Sequence, residues 1–600
     1  MNPIAELVLE VEHATADFLS SHYGIKSPEV SLERSDNFIH GDMSTSVSMK
    51  YAKEAEESPY NLAQLIANHL NFQQLTHIKK IEVIEPGFIN FFFTTSFFVK
   101  VLENIINLEA DYGKNISLMN QKWIVEHTSP NPNKAMHLGH LRNNLVGMSL
   151  VRMLSWNGAV VVSDAVYNDR GIAIAKLMWG FLSHMKKNSD TPNDVAYWVS
   201  NPDKWYTPKE KNILPDIFVT QCYLLGESDF KSDENVEAIV RNFVVQWENN
   251  NKDVWELWSH VLSYAYEGME RTLLRLDNHW DKIWHEHEHY KEGKKYVQEG
   301  LKKGIFTKLE DGAVLTNLSI YDIPDTILLK KDGTSLYITQ DIALVALKKK
   351  RYKADKLVWV IGPEQSLAMR QLFAVCEQLK IGKIDDFDHV SYGYVGLKDD
   401  DGGFKKMSSR EGTVVLIDDL INVVKEKIKI KFTSKNNGEL TEDIDELSEK
   451  LALAAIKFSI LKSDRKQDLV FDTEQSIETT GDSGIYVLYT YVRAQSILRK
   501  KIKQINSPLD GQHELGLEAD LVKLLAYFPE VIKTAKKDMS THHVAQYLLE
   551  LCSAFNAWYG KEIVLDGSEK ESYKLTITES VGITIKNGLS ILGIETVEKI

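Results

Sequence analysis

Apolar positions recur at helical spacing from Pro3 to Ser21 and again from Asp42 to His69, with a break at Ser58-Pro59. Lys80–Ile84 and Phe88–Phe93 alternate or run apolar around Pro86-Gly87, which predicts strand, turn, strand. Residues 1–110 therefore read as a small α+β unit, followed by a linker-like stretch, Asp111–Asn115. From 118 to 415 short apolar runs alternate with helical stretches; the runs include Ile124-Val125, Val160–Val162 and Leu357–Ile361. That alternation predicts an α/β domain with a parallel sheet and crossover helices. Within it, residues from about 185 to 275 are rich in Trp, Asn and charge (Tyr197, Trp198, Trp205, Trp247, Trp255, Trp258) and read as a mostly helical insertion. From 416 to 600 helical periodicity prevails, interrupted by the loop-forming Asn506–Gly511, which predicts an all-α region. There is no internal repeat and no long low-complexity tract.

Length sharpens this division, because single cores rarely grow past about 250–300 residues and the chain has 600. No apolar run is long enough to span a bilayer. Met1 to Phe18 carries Glu6, Glu10, Glu12 and Asp17 and lacks the basic start of a secretory or transit signal. Cys222, Cys376 and Cys552 lie far apart, which predicts a reducing, cytoplasmic compartment and neither a disulfide framework nor a zinc knuckle. A formal charge of −15 argues against a sequence-blind nucleic-acid coat, yet local basic patches can still meet RNA. Three such patches, Lys348–Arg351, Lys425–Lys431 and Arg499–Lys501 with Lys503, read first as solvated helix faces.

The most informative chemistry is His137-Leu138-Gly139-His140, preceded by Ser129 to Met136 and joining the apolar Trp123–Val125 to a helix-like run, Leu141 to Leu154. A helix start offers free N–H groups and a positive dipole end to a phosphate. Two imidazoles add donors that can follow charge building on an α-phosphate. Gly139, lacking a Cβ, leaves room for a flat adenine. Alone, the same four residues also read as two histidines on an ordinary helix.

A second segment tips the balance. Lys405 to Gly412 follows the Gly-rich Asp399–Gly403, and Lys406-Met407-Ser408-Ser409-Arg410 resembles the mobile KMSKS loop of class I aminoacyl-tRNA synthetases. His137 to His140 resembles their HIGH signature, about 270 residues upstream. Within that class the chain resembles the arginyl-tRNA synthetases over essentially its whole length. Gly41-Asp42, Lys53, Ser58-Pro59 and Pro86 to Phe91 resemble that family's extra N-terminal, tRNA-binding domain. Val125 to Asn131 resembles its lead-in to HIGH, and Asp332 to Ala343 its DGT…Y-x-T-R-D-I-A motif. Phe528-Pro529-Glu530, Leu549 to Leu551, Phe555-Asn556, Tyr559, Leu592 to Glu595, and Gly481 to Tyr486 with Tyr489 and Arg493 resemble its helical anticodon-binding domain. The resemblance implies a Rossmann-type catalytic domain between an N-terminal α+β domain and a C-terminal all-α domain.

It also implies a reaction. Arginine's carboxylate would attack the α-phosphate of ATP, and the 2′-OH of the terminal tRNA ribose would then take the arginyl group. Mg²⁺ would accompany ATP, and arginine activation would need bound tRNA. Gly139 and His140 would face the nucleotide, His137 the phosphates, and Lys406, Met407, Ser408 and Ser409 would close over the pyrophosphate as a lid. A guanidinium is planar, always charged and rich in donors, so its pocket should offer carboxylates and amide oxygens; Glu126, Asn131, Tyr337, Asp341 and Gln365 supply that set. By resemblance Asp341 pairs with the guanidinium, Tyr337 flanks it, Gln365 adds an amide and Asn131 holds the head group. Glu126 either touches the substrate or orients the pocket. Asn90 would receive a base from the tRNA elbow, while Tyr486, Tyr489, Arg493 and Tyr559 would meet anticodon bases. The family also implies a monomer.

Departures from the family pattern carry their own expectations. Ser409 stands where the loop's second lysine would be, and Arg410 in its final serine position. That gap has three readings, an inactive enzyme, use of Arg410, or a cation brought from elsewhere; Lys134, three residues before His137, is the expected substitute. Gln340 replaces a basic residue, Leu488 a glutamine, and Ile600 stands where a methionine is usual. His285-Glu286-His287-Glu288-His289 alternates, so a strand would set three histidines on one side; a metal site there is weighed against a solvated or tRNA-proximal strand, and the strand is preferred. The competing readings are a cysteinyl or glutamyl enzyme, which lack support in the cysteine spacing and the acidic pocket, and a synthetase-derived binding protein without catalysis.

Overall fold

Five short apolar runs line up as one parallel sheet, in the order Phe387–Val390, Lys356–Val360, Lys122–Glu126, Val160–Tyr167, Lys282–His285. Leu357 pairs with Ile124, and Ile124 with Val162. Ile124, Val125, Leu357 and Val358 are buried, as a sheet covered on both faces by helices requires. The computed structural model describes residues 2–35, 37–73, 75–398, 404–405, 415–435, 444–500 and 515–600. It places the sheet in a unit spanning Ile116–Ile477, while Met1–Asn115 and Glu478–Ile600 form the other unit. The Lys406–Arg410 segment, the Gly-rich stretch before it, Lys503 and Asn506–Gly511 lie outside the described residues.

In the sheet unit, helix Leu138–Trp156 carries the chain from strand Lys122–Glu126 to strand Val160–Tyr167. A Cβ on Gly147 would stand 2.3 Å from the His127 side chain, so this glycine lets the helix lie against the strand exit. Between Val160–Tyr167 and Lys282–His285 stand helices Ile172–His184, Val195–Ser200, Pro215–Ser232, Glu234–Glu248 and Lys252–Arg275. Trp198, Trp205, Trp247 and Trp258 form part of their core. Two helices beyond residue 415, Ile417–Lys435 and Ile444–Leu461, also belong to this unit.

In the other unit an antiparallel sheet runs Glu33–Arg34, Met43–Thr45, Phe88–Phe93, Ile78–Ile84. Helix Pro3–Tyr23 starts on the Asn2 side chain and ends at Gly24, whose φ of 65° suits glycine. The helical spacing expected from Asp42 to His69, with its break at Ser58-Pro59, is realised only in part. Met43–Thr45 is drawn into the sheet by its pairing with Phe88–Phe93, leaving a short helix, Val47–Tyr51, before the Ser58-capped Pro59–Phe72. Nor is Asp111–Asn115 a free linker. Tyr112 is fully buried and donates to Leu525 O at 2.6 Å, and the Asn587 amide donates to Tyr112 O and Glu109 O. The C-terminal helices are Gly484–Arg499, Ala519–Lys537, His542–Tyr559 and Glu571–Ile591. Among the described residues, no helix is long and apolar enough to cross a membrane.

The Trp-rich region depends on a close helix crossing. A Cβ on Gly180 would lie 1.8 Å from Cys222 O, and one on Gly226 2.0 Å from Lys176 O. Gly180→Ala should therefore cost about 1–3 kcal/mol through forced separation of the two helices. A lowered thermal midpoint for this variant is expected; an unchanged one would mean the crossing tolerates the methyl group.

Candidate active site

The sheet changes direction at its centre. From Lys122–Glu126 the chain builds outward to Val160–Tyr167 and Lys282–His285, then returns to add Lys356–Val360 and Phe387–Val390 on the other side. In an open α/β sheet the crevice at the carboxyl ends of such diverging strands takes ligands. Asn143, on the helix that leaves the first strand, ties the two strand ends together. Its carbonyl oxygen accepts from Thr128 N at 2.8 Å, and its amide donates to Val360 O at 2.9 Å. Thr128 has φ 54°, so the chain turns sharply as it enters the crevice. The neighbouring Arg142, fully buried, donates to Tyr394 O, Arg465 O and Gln467 O at 2.7, 3.2 and 2.6 Å.

His137 and His140 close the start of helix Leu138–Trp156. His137 Nδ1 accepts from Gly139 N and His140 Nδ1 accepts from His137 N, each at 3.2 Å. The rings stack with centroids 3.8 Å apart. An accepting Nδ1 is unprotonated, which places each ring proton on Nε2. Burial, reinforced by Lys134, pushes His137 down to about 4, and burial with His137 and Lys134 pushes His140 well below the usual range. Both are thus neutral Nε2–H donors at pH 7. Lys134 is half-buried, makes no hydrogen bond or ion pair with the described residues, and is held below the usual lysine range by burial. Just after the residues left undescribed, Val415–Ile417 returns to this stretch: Leu138 N donates to Val415 O and Ile417 N to Met136 O.

Carboxylates gather nearby. Glu126 ends its strand, is 6 % exposed, and accepts from Lys348 Nζ at 2.7 Å. Lys348 also donates to the fully buried Asp164 at 2.9 Å, and Trp284 Nε1 donates to Asp164 at 2.8 Å. Lys348 is 1 % exposed, which corrects the reading of Lys348–Arg351 as a solvated face: two buried carboxylates hold its charge in the interior. Lys425–Lys431 is likewise occupied, with Lys425 and Lys429 paired to Asp445 and Lys427 to Glu474. Tyr337 and Asp341 stand one turn apart on helix Tyr337–Tyr352. Asp341 is exposed to solvent yet surrounded by protein. Crowding, then the charges of Glu126 and Glu286, push it up to about 7. Glu286 is likewise raised to about 7, by burial above all, while Arg170, 3.6 Å away, and Gln340 pull it down. Tyr337 is 79 % exposed, and Asn131 and Gln365 are also exposed, at the exits of the two central strands.

The His285–His289 alternation is not a strand. Lys282–His285 ends the sheet and Glu286–His289 turns into helix, because Asp169 captures the junction. Asp169 accepts from His285 Nδ1 at 2.8 Å, His287 Nδ1 at 2.7 Å and His287 N at 3.0 Å, and these bonds hold it down near 2 against the opposing effect of burial. The three donor atoms are close enough together for a metal ion, but hydrogen bonds already join them. The periodicity read for its histidines hid Glu286, the residue that reaches the acid cluster.

In the other unit, Asn90 is 5 % exposed, covered on a strand whose Phe88 is 40 % exposed. A base approaching that face would meet Phe88 first. Tyr489, Arg493 and Tyr559 line a groove of about 550 Å³ together with Ile600, and the Arg493 guanidinium lies 5.2 and 5.5 Å from the two ring centroids. Tyr486 is held back, its hydroxyl accepting from the Asn556 amide at 3.1 Å, and Asn556 in turn accepts from Arg493.

Residues 6–93 match the arginyl tRNA synthetase N-terminal domain, 101–473 the class I (R) tRNA synthetase catalytic domain, and 487–600 the DALR anticodon binding domain. The arginine–tRNA ligase of Bacteroides thetaiotaomicron is 32 % identical over 597 residues, covering 96 % of this chain and 97 % of that one. That of Phocaeicola vulgatus is 31 % identical, covering 95 % of each. The arginyl-tRNA synthetase structure of Thermus thermophilus superposes with a TM-score of 0.79 at 22 % identity, over 99 % of this chain and 100 % of that one, a likeness of fold.

The raised carboxyls make a guanidinium ligand pH-sensitive. Asp341 and Glu286 hold protons below about 7 in the empty protein and must release them to pair with a cation. Arginine affinity should therefore fall as pH drops through 7, by roughly tenfold per carboxyl between pH 8 and 6. Calorimetry in two buffers should show proton release on binding at pH 6.5; pH-independent affinity would contradict the assignment.

Proposed function

We propose, from the premise that this chain belongs to the class I arginyl-tRNA synthetases, a division of labour along the crevice. The chain is an ATP-dependent arginine–tRNA ligase. The observation that carries the residue assignments is the pairing of a helix start bearing two neutral imidazole donors with a carboxylate cluster at the same sheet edge.

ATP enters with Mg²⁺ on its phosphate oxygens and several waters kept on the ion. Its adenine lies against Gly139, and its phosphates face the start of helix Leu138–Trp156. Arginine's carboxylate attacks the α-phosphorus, the bond to the pyrophosphate oxygen breaks, and arginyl-adenylate forms. The Nε2–H groups of His137 and His140 donate to the phosphate oxygens as charge builds, and being neutral they need lose no proton to do so. Lys134 supplies the cation that Ser409 does not; its lack of a partner among the described residues supports this, since a half-buried ammonium otherwise seeks one. Lys406, Met407, Ser408 and Ser409 close over the pyrophosphate. Asp341 and Glu126 take the guanidinium, Glu286 joins them, Tyr337 flanks it, Gln365 adds its amide and Asn131 holds the head group. The tRNA 2′-OH then attacks the activated carbonyl and AMP leaves. Tyr489, Arg493 and Tyr559 offer stacking faces and donors to unstacked anticodon bases, with Tyr486 setting Arg493 through Asn556. The enzyme works as a monomer in the cytoplasm.

Pyrophosphate exchange across the amino acids tests the whole reading: arginine alone should support it, and only with tRNA present. Full exchange without tRNA would overturn the tRNA requirement. Lys134→Ala should lower the rate of adenylate formation about 10²–10³-fold at saturating ATP, by analogy with a lost oxyanion donor, and Ser409→Lys should restore part of it. A near-normal rate in Lys134→Ala would assign the cation elsewhere.

A further inference from the structure

Lys348 lies seven residues beyond Asp341 on helix Tyr337–Tyr352, about two turns on and close to the same face. Its ammonium reaches Glu126 at 2.7 Å and Asp164 at 2.9 Å, the two residues that pair side by side on adjacent strands. One cation thus joins three elements: the strand bearing Glu126, the strand beside it and the helix bearing Asp341. All three side chains are buried, with Lys348 1 %, Glu126 8 % and Asp164 0 % exposed. At that depth loss of one partner leaves the others uncompensated.

The geometry also decides how Glu126 can act. Its Oε2 is committed to Lys348, whereas Oε1 has, among the described residues, only the Ser129 hydroxyl at 3.4 Å and keeps lone pairs to offer. Lys348 itself is buried below the crevice and directs its donors at carboxylates, so it does not present a charge to the substrate.

We propose that Lys348 is a positioning residue for arginine recognition, clamping Glu126 to the helix that carries Asp341 so that the two acids meet the guanidinium at a fixed separation. This rests on the reading that Asp341 and Glu126 take the guanidinium. A planar, multi-donor cation rewards acids held in place, and a loosened Glu126 would serve it poorly.

The test is steady-state aminoacylation by the full-length enzyme, with arginine and ATP varied separately. Lys348→Met should raise KM for arginine about tenfold or more, the expected penalty for a buried charged partner left unmatched, while KM for ATP stays within about twofold. Because Lys348 acts through Glu126, the cycle should be non-additive: Glu126→Gln with Lys348→Met should show the same arginine KM as Glu126→Gln alone. That pair decides the question even if Lys348→Met by itself does not fold. An unchanged arginine KM in Lys348→Met, parallel rises in both KM values, or a double variant far worse than Glu126→Gln would overturn the proposal. If neither Lys348 variant folds, the residue belongs to the fold alone and the proposal fails. Asp341→Asn, measured alongside, separates the two ideas. If it leaves the arginine KM unchanged, the pocket reading is wrong; if it raises that KM while Lys348→Met does not, only the clamp is wrong.

Discussion

Like charges crowded into one crevice must be held there by something, and the acid cluster at the sheet edge sets this requirement for the rest of the unit. Glu126, Asp164, Glu286 and Asp341 come from two strands, a short helix and a long one. Left alone, they would repel one another and take up protons. Lys348 answers two of them directly and Arg170 lies 3.6 Å from a third. Asp341 has no such partner among the described residues, and desolvation together with the charges of Glu126 and Glu286 raises its proton affinity. That lack of a partner is what a cationic substrate would meet.

The same edge carries an opposite arrangement a few residues away. At the start of helix Leu138–Trp156 the polarity is positive: the end of the helix dipole, two Nε2–H donors and Lys134, which has no partner among the described residues. A substrate carrying a guanidinium at one end and a carboxylate to be joined to a phosphate at the other finds complementary charge along the crevice. Asn143 holds the two central strand ends together across it, and Arg142 gathers the carbonyls of the segment behind. These residues, neither of which stood out in the sequence, keep the two charged regions at a constant spacing.

The two cations that matter most, Lys134 and Lys348, illustrate different legibility. Lys134 was visible because a motif surrounds it and a second motif, about 270 residues downstream, lacks a lysine. Lys348 sat in a run of four basic residues that read as a solvated face, since the linear pattern holds no trace of Asp164, 184 residues away. Glu286 was masked by the histidines on either side of it, and the strand expected there gave way to a helix once Asp169 drew in both imidazoles and the His287 N–H. Asn90 shows the converse: the resemblance offered it to an incoming base, but its covering on the strand was not readable.

What the sequence determined by itself is what repeats locally or stands in short order along the chain. The parallel α/β pattern, the helical C-terminal region, the histidine pair at a helix start, and Tyr337 with Asp341 one turn apart all follow from periodicity and spacing, which act over a few residues. Tertiary structure decided which charges meet. It turned Met43–Thr45 from helix into strand by supplying a partner, buried Lys348 by bringing two carboxylates to it, and raised Asp341 by shielding it in part from water and setting Glu126 and Glu286 beside it. The reason is physical: the energy of a charge depends on the solvent it has lost and the charges it has gained, and both are set by segments far apart in the chain.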